Sequence, residues 1–590
     1  MTGLDWFIVF LYFVLAGGIG VAMSGRAGRS VSDYFIGGRA LPWWLAGTSM
    51  VATTFAADTP LAVTELVVRH GVAGNWLWWN MVMSGILTVF FYARLWRRAG
   101  VLTDVEFTEL RYGGKPAAIL RGFRAAYLAL PINLIIMGWV NLAMVEIASV
   151  ALDIPRLSAL LVCFALAAGY SILAGLWGVV VTDIFQFALA LGGAVVLAVF
   201  AVAAVGGISG LEAGLADVYG SSEAALALLP AEGAMWMPAI TFAVYLGMNW
   251  WASWYPGAEP GGGGYVAQRI FATRSEREGV LATLWFNVAH YAVRPWPWIL
   301  VALASTILYT DIDNPRQGYV LAIVDLLPPG VTGLLIAGLA AAYMSTISTQ
   351  LNWGASYLVN DLYARFMRPE ASERELVGVS RASTAFLMVA SLVVTYFLGS
   401  IEGAWRFLLA IGAGTGLVLI LRWYWWRINA WSEIAAMLAS LAVSLLLWFG
   451  VGLDPDDPTQ WAWIMIATVA ASTAVWLTVT FLTSPERPEV LDGFYAKVRP
   501  GGPGWYTIAE RLGHGKEPMD GGVLNWTNWV AGVTAVYTTL FGTGRLIFGA
   551  WGEAAIFLGI AVLAFAWISR SLRRMPPDRV SAEPVRERAL

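Results

Sequence analysis

Stretches of roughly 20 predominantly apolar residues recur along the whole chain, each long enough to cross a bilayer as a helix. Fifteen are read from the sequence, near 4–23, 43–70, 75–97, 125–151, 157–175, 178–204, 237–257, 278–309, 331–362, 379–399, 403–421, 430–451, 460–483, 526–547 and 552–570. Such a chain is expected to be an all-α polytopic membrane protein, because a helix satisfies its own backbone polar groups where no water can. The first stretch, opening MTGLDWFIVF, has no basic n-region and carries Asp5, so it reads as a span and not as a signal peptide.

Composition agrees. Only 13% of residues are charged, against roughly 25% in a soluble globular protein, so charge is too scarce to solvate several soluble domains. The 31 Trp suit aromatic belts at two membrane interfaces. A cytosolic enzyme, a disordered scaffold and a nucleic-acid binder are excluded on these grounds. Lys and Arg (36) are nearly balanced by Asp and Glu (39), which gives no basic surplus for a polyanionic partner. The single Cys163 excludes a disulfide framework, and His70, His290 and His514 lie too far apart for a local His motif.

Orientation follows from where the cations fall. With the N-terminus outside, 30 of the 36 Lys and Arg lie in inner segments, among them SGRAGRSVSDYFIGGR, the 94–124 region, QRIFATRSER and the 484–525 stretch. The 205–236 loop carries four acids and no Lys or Arg, as an outer loop can. An N-out, C-in protein of the plasma (inner) membrane is therefore expected. The organisation read from the chain is a peripheral helix and inner loop (1–42), two blocks of five spans (43–204 and 237–421) separated by the outer loop 205–236, two peripheral helices (422–483), an inner linker (484–525), two extra helices (526–570) and a solvated, disordered tail (571–590).

Two spans are interrupted. The second reads LPWWLAGTSMVATTFAADTPLAVTELVVRHG, with Asp58-Thr59-Pro60 near its middle; the seventh reads FAVYLGMNWWASWYPGAEPGGGGYVAQR. A Pro or Gly in a span commonly marks no more than a kink. Here each break opens a block of five spans, the pattern of a secondary transporter with inverted repeats and a binding site at the breaks. The ninth span, GLAAAYMSTISTQLNWGASYLVNDLY, is punctuated by hydroxyls, and Ser345, Ser348 and Thr349 share one face by i, i+3, i+4 spacing. Such hydroxyls can simply bond back to their own helix; they also suit a hard cation.

These segments resemble the sodium:solute symporters, a family that includes bacterial proline, sialic acid and galactose transporters. The resemblance runs from the first span to about residue 430 and is carried by SVSDYFIGGRALPWW, TDIFQF, QRIFATRSERE and AAYMSTISTQLNWGASYLVNDLY. It implies a LeuT-like core of 5+5 inverted repeats and sodium as the co-transported ion. It also implies a sodium site of Ala52 and Phe55 by backbone on the first broken helix, with Ala342 by backbone and Ser345 and Thr346 by side chain. Some relatives hold a second sodium with an acid on the fifth core helix; carried over, that site is Asp183 with Ser345, Ser348 and Thr349. A carboxylate inside a span is costly and marks function by default, with local hydrogen bonding at the membrane face as the bland reading of Asp183 and proton coupling as a further one.

The solute should sit between the two breaks. The nominees are Asp58 and Thr59 on span 2, Asn249, Trp250, Trp251, Trp254 and Tyr255 on span 7, and His290 with Arg294, four apart on one face of span 8. Resemblance to the sugar-transporting branch places Asp58, Thr59 and His290 near polar sugar contacts, but Trp78 stands where that branch has an acid, and the extra EPGGGG unsettles the register of span 7. Aromatics with hydrogen-bonding acids and amides favour a sugar or polyol. Asp58 within a Trp cage would suit a quaternary ammonium solute, and Arg294 with His290 a carboxylate or amino acid. The partners expected are thus a small solute, sodium and the bilayer, with no nucleic acid and the oligomeric state open. A membrane-embedded enzyme is disfavoured by the lack of HExxH, Cys/His, Walker or GxSxG patterns. A transporter-like sensor is disfavoured because no output domain follows the last span.

Overall fold

The computed structural model describes residues 1–27, 30–152, 154–253, 260–398, 404–405, 408–409, 412–515, 522–575 and 578. Among the described residues, nine helices are long and apolar enough to cross a membrane, or ten when one bent pair is taken as a single span. That pair is α1 (Trp43–Thr54) and α2 (Asp58–His70), which meet at 58°. Pro60 cannot donate to the carbonyl four residues back, and the hydroxyls of Thr53 and Thr54 bond to Ser49 O and Val51 O, both at 2.9 Å. The backbone between them has no helical continuation available.

The expected spans 157–175 and 178–204 are joined in one helix, α3 (Arg156–Ala204), of 49 residues. No proline or charged residue stands at their junction, so nothing local interrupts the backbone ladder. The seventh span is corrected more substantially. Its first part runs over 239–252, and after the break a second helix, α4 (Gly264–Ala272), is buried along its whole length. The segment QRIFATRSER, expected as an inner loop, therefore begins inside the bundle. Glycine is required at the turn into α4: Gly261 and Gly262 have φ of 82° and 76°, and a Cβ at Gly262 would lie 2.9 Å from the Thr88 side chain. Both broken spans thus consist of two half-helices.

Helix α5 (Glu276–Leu308) starts at Ser275, whose side chain accepts from Glu278 N, and loosens into a π turn over Ala289–Val293 ahead of Pro295. Helix α6 (Val331–Met367) is almost wholly buried along its apolar stretch; it packs on α3 and α1. The terminal hairpin of α7 (Gly522–Ile547) and α8 (Trp551–Arg573) is peripheral, and only 28% of the α8 window is buried. Helix α8 runs to Arg573, past the expected start of the tail at 571.

The basic segments converge at one end. Arg39 donates to Gly100 O at 2.8 Å, Arg97 to Thr273 O at 2.9 Å and Arg111 to Arg422 O at 2.8 Å, while Arg121 pairs with Asp361 at 2.7 Å. At that end a single parallel bridge joins Leu41 to Thr273: Leu41 N donates to Ala272 O at 2.9 Å and Arg274 N to Leu41 O at 3.1 Å. It ties the segment entering α1 to the segment leaving α4. At the opposite end Arg316 meets Glu65 at 2.5 Å, Glu65 also holds Arg69 at 2.8 Å, and the Tyr219 hydroxyl caps α2 by donating to Val67 and Val68 carbonyls.

Candidate functional site

The break between α1 and α2 faces α6. Thr346 Oγ1 lies 2.8 Å from Thr53 O across the interface and 3.1 Å from Ala342 O on its own helix. Ala52 and Phe55 lie in the last turn and cap of α1; the Phe55 N–H donates to Val51 and Ala52 carbonyls. The structure thus gathers Ala52, Phe55, Ala342, Ser345 and Thr346 where the end of α1 abuts α6, all at most 3% exposed. Carbonyl and hydroxyl oxygens of this kind are ligands for a hard cation.

A second polar cluster adjoins the first. Asp183 on α3 accepts from Ser49 Oγ at 2.5 Å and from Ser345 Oγ at 2.6 Å. It is wholly buried within the helix bundle. Thr349 Oγ1 stands 3.0 Å from Thr53 Oγ1, while Ser348 Oγ donates to Ser345 O at 3.1 Å, a bond within its own helix. Into this cluster projects a cation the sequence reading had counted as an inner-loop charge. Arg269 on α4 donates to Ser49 Oγ at 3.1 Å and to Thr349 Oγ1 at 2.7 Å. Its burial is complete. A guanidinium so placed balances the buried carboxylate through Ser49 and occupies lone pairs of two hydroxyls of the cluster.

Beside these oxygens lies a cavity of about 150 Å³, reached by Thr53, Thr54 and Thr346 on one side and walled by Trp78, Trp139, Tyr265, Tyr291 and Trp405. Asp58, Thr59, His290 and Arg294 all line it. The α5 π turn lets Arg294 N reach back to Ala289 O at 3.2 Å, and Arg294 Nε donates to His290 O at 3.1 Å. His290 Nδ1 is 3.0 Å from Thr54 Oγ1 and also contacts Arg294 Nη2. Arg294 is stacked over Trp298 at 5.0 Å. Among the described residues, four buried atoms of the cavity lining have no hydrogen-bond partner: Asp58 Oδ1, Gln350 Oε1, Arg294 Nη1 and Trp405 Nε1. Two accept and two donate.

Of the nominees on span 7, Asn249, Trp250 and Trp251 are not among the residues that line this cavity. Asn249 is buried against Asn80, donating at 3.0 Å. Trp250 donates to Leu246 O and stacks on Trp529 of α7, and Trp251 donates to Gly247 O. Trp254 and Tyr255 lie outside the described residues. Arg269, Ser49, Gln350 and Trp405 are the polar residues that sequence reading missed. For Arg269 the signal was present in the glycine run: a turn that tight in a span can return the chain to helix, as the Asp58-Thr59-Pro60 break does.

A family model described as Sodium:solute symporter family matches residues 34–440. Over 475 residues, 76% of this chain and 86% of the relative, it is 26% identical to a sodium/glucose cotransporter of Vibrio parahaemolyticus. It is 24% identical over 496 residues to human sodium/myo-inositol cotransporter 2, covering 77% of this chain and 72% of that protein. Among solved structures, a Na+-coupled sialic acid symporter in a substrate-bound outward-open state aligns with a TM-score of 0.66 at 19% identity, covering 82% of this chain and 99% of that one. At that identity the likeness establishes the fold.

Proposed function

This chain belongs to the sodium:solute symporter family, whose members here are transporters and not enzymes, and from that premise we propose that it couples sodium entry to uptake of a neutral polyhydroxylated solute, a sugar or polyol. Ala52, Phe55, Ala342, Ser345 and Thr346 bind the driving ion. Asp58, Gln350, Arg294 and Trp405 bind the solute, with Thr59 and His290 at the cavity wall. Asp183, Ser345, Ser348 and Thr349 form a second cation position only when Arg269 withdraws.

One observation carries the choice of solute. Four residues that line the aromatic-walled cavity each carry a buried polar atom with no partner among the described residues, two acceptors and two donors, and hydroxyls both donate and accept while a sugar ring packs on aromatic faces. Sugar and inositol cotransport in the named relatives points the same way. The free Nη1 of Arg294 supports a second reading, a carboxylate-bearing solute. Sodium at the α1 break would steady the half-helices in the solute-ready state, and rocking of the blocks 43–204 and 237–421 would release both species inward, with the N-terminus outside.

The test is uptake into proteoliposomes under an imposed sodium gradient, with a panel of sugars, polyols, carboxylates, amino acids and betaines. Accumulation of a neutral polyol that needs sodium and fails with potassium is expected. Accumulation only of a carboxylate would replace the solute assignment, and no gradient-driven uptake by any solute would end the symporter reading.

A further inference from the structure

The terminal hairpin is peripheral, yet α7 is bonded to the chain on both sides of the solute cavity. Over 76–83 the third span (Val72–Ala99) is irregular: Met81 N donates to Trp78 O at 3.1 Å and Met83 N to Asn80 O at 3.3 Å, each three residues back. Regular helical bonding lapses there, and side chains take up main-chain carbonyls. Asn80 Nδ2 donates to Trp76 O at 3.0 Å and to Leu77 O at 3.1 Å. The Tyr537 hydroxyl of α7 donates to Trp79 O at 2.8 Å, and Trp529 Nε1, also of α7, donates to Met83 O at 2.9 Å.

Trp79 is wholly buried, and the residue before it, Trp78, lines the cavity. Trp78 lies on Tyr291 with ring centroids 5.6 Å apart and planes 23° apart. Tyr291 lines the cavity too and belongs to the π turn of α5 that carries His290. Helix α7 packs on that same turn. Just beyond the turn, Trp296 Nε1 donates to Leu540 O of α7 at 2.7 Å. A Cβ at Gly544 would lie 1.9 Å from the Trp296 ring, so glycine is needed there to seat the indole. Trp296 stands two residues after Arg294. One helix thus holds the chain beside Trp78 and the chain beside Arg294.

We propose that α7 is the positioning element of the solute site: Tyr537, through the Trp79 carbonyl, sets the Trp78–Tyr291 stack, and Gly544, through Trp296, sets the chain that carries Arg294. This rests on the reading of the cavity as the solute site. A binding constellation keeps its geometry only when a second layer of contacts fixes the residues that form it. Neither Tyr537 nor Gly544 is among the residues that line the cavity; both act on affinity through residues that do. The sodium junction is built from other contacts, those of Thr346 with Thr53 O and Ala342 O, so α7 tunes the solute and leaves the ion alone.

Tyr537→Phe keeps the ring and removes only the hydroxyl. Full-length protein is reconstituted in proteoliposomes with myo-inositol and glucose as probes, reading half-saturating probe concentration and maximal uptake. The sodium midpoint is read from Trp fluorescence without solute, and backbone hydrogen–deuterium exchange is followed in detergent. In Tyr537→Phe the half-saturating concentration of the transported probe is expected to rise about five-fold, the effect of one lost neutral hydrogen bond. Maximal uptake and the sodium midpoint should stay as in wild type, while exchange quickens over 76–83 and 289–296 and not in α6. Gly544→Ala should raise the half-saturating concentration about ten-fold or more. Thr538→Val, at a hydroxyl that bonds to Thr534 O of its own helix at 2.7 Å, should match wild type. Unchanged exchange in both segments of Tyr537→Phe would overturn the proposal, as would quicker exchange with an unmoved half-saturating concentration, or an equal rise in the sodium midpoint. If wild type takes up neither probe, the solute reading of the cavity falls, and exchange alone decides whether α7 positions its walls.

Discussion

Arg269 and Asp183 are joined through a single hydroxyl: Ser49 accepts from Arg269 Nε at 3.1 Å and donates to Asp183 Oδ2 at 2.5 Å. Each charge is wholly buried, and each depends on the other for compensation. Removing one partner of such a pair costs about 3–5 kcal/mol because the survivor stays buried and uncompensated.

Asp183→Asn and Arg269→Gln are accordingly expected to lower the thermal midpoint of purified protein severely when made singly. The double variant should recover about 1–2 kcal/mol relative to the sum. Strict additivity in the cycle would mean that the two charges are compensated separately.

At the neighbouring junction, Thr346 touches the end of α1 through Thr53 O, and Ser345 faces Asp183. Thr346→Ala and Ser345→Ala are expected to raise the half-saturating sodium concentration for uptake about ten-fold, which corresponds to about 1.4 kcal/mol. Maximal uptake at saturating sodium should change less. An unaltered sodium curve in both variants would remove these hydroxyls from the ion site.

In the solute cavity, Asp58→Ala and Gln350→Leu remove acceptors that have no partner among the described residues. Solute affinity is expected to fall about ten-fold or more in each, with sodium-induced changes in Trp fluorescence retained in the absence of solute. Linkage requires that sodium tighten whatever solute binding is left. Loss of the sodium response together with solute binding would place these residues in the ion site or in folding.

The pair Arg316–Glu65 lies at the end of the protein opposite the bridge between Leu41 and Thr273. In a Cys163→Ser background, Thr59→Cys reports access to the cavity from that side. Adding Arg316→Ala should speed thiol labelling several-fold by shifting the population toward the open form. Labelling at the same rate would show that the pair does not gate access.

Glu109 lies between spans, where burial raises its carboxyl pKa but hydrogen bonds from Arg365 and Arg121 outweigh it and hold the value below the ordinary one. A depressed carboxyl stabilises the fold above its unfolded pKa, and that contribution disappears as pH falls through the folded value. Thermal midpoints should therefore be insensitive to Glu109 titration from about pH 6 to 8, and fall below about pH 4.5. Glu109→Gln should show a lower midpoint at neutral pH and a shallower acid decline; an acid limb identical to wild type would assign it to other groups.

Much of this was legible in the sequence. Span length, the convergence of cations and the broken second span all follow from one-dimensional patterns, since a bilayer imposes length, polarity and side on each segment independently. The hydroxyl face of α6 is equally local, because helical spacing alone puts Ser345, Ser348 and Thr349 together. Arg269 and Gln350 were not legible in this way. Which polar atoms meet inside a bundle depends on how helices distant in sequence are rotated and at what depth a half-helix resumes. The glycine run conceals that resumption, so α4 read as loop and its arginine as surface charge. Trp250 on span 7 was illegible for the opposite reason: aromatics serve belts, packing and binding sites alike, and this one stacks on Trp529.

The bridge between Leu41 and Thr273 is made of main-chain groups alone. Its two hydrogen bonds ask for no particular side chain at Leu41, Ala272 or Arg274, because an amide and a carbonyl are present whatever residue is encoded, proline apart at the donor positions. A lineage can then rewrite the cavity to accept a new nutrient, one polar residue at a time, while the coupling between the half-helices is inherited intact. The seam makes the machine conservative and its cargo negotiable.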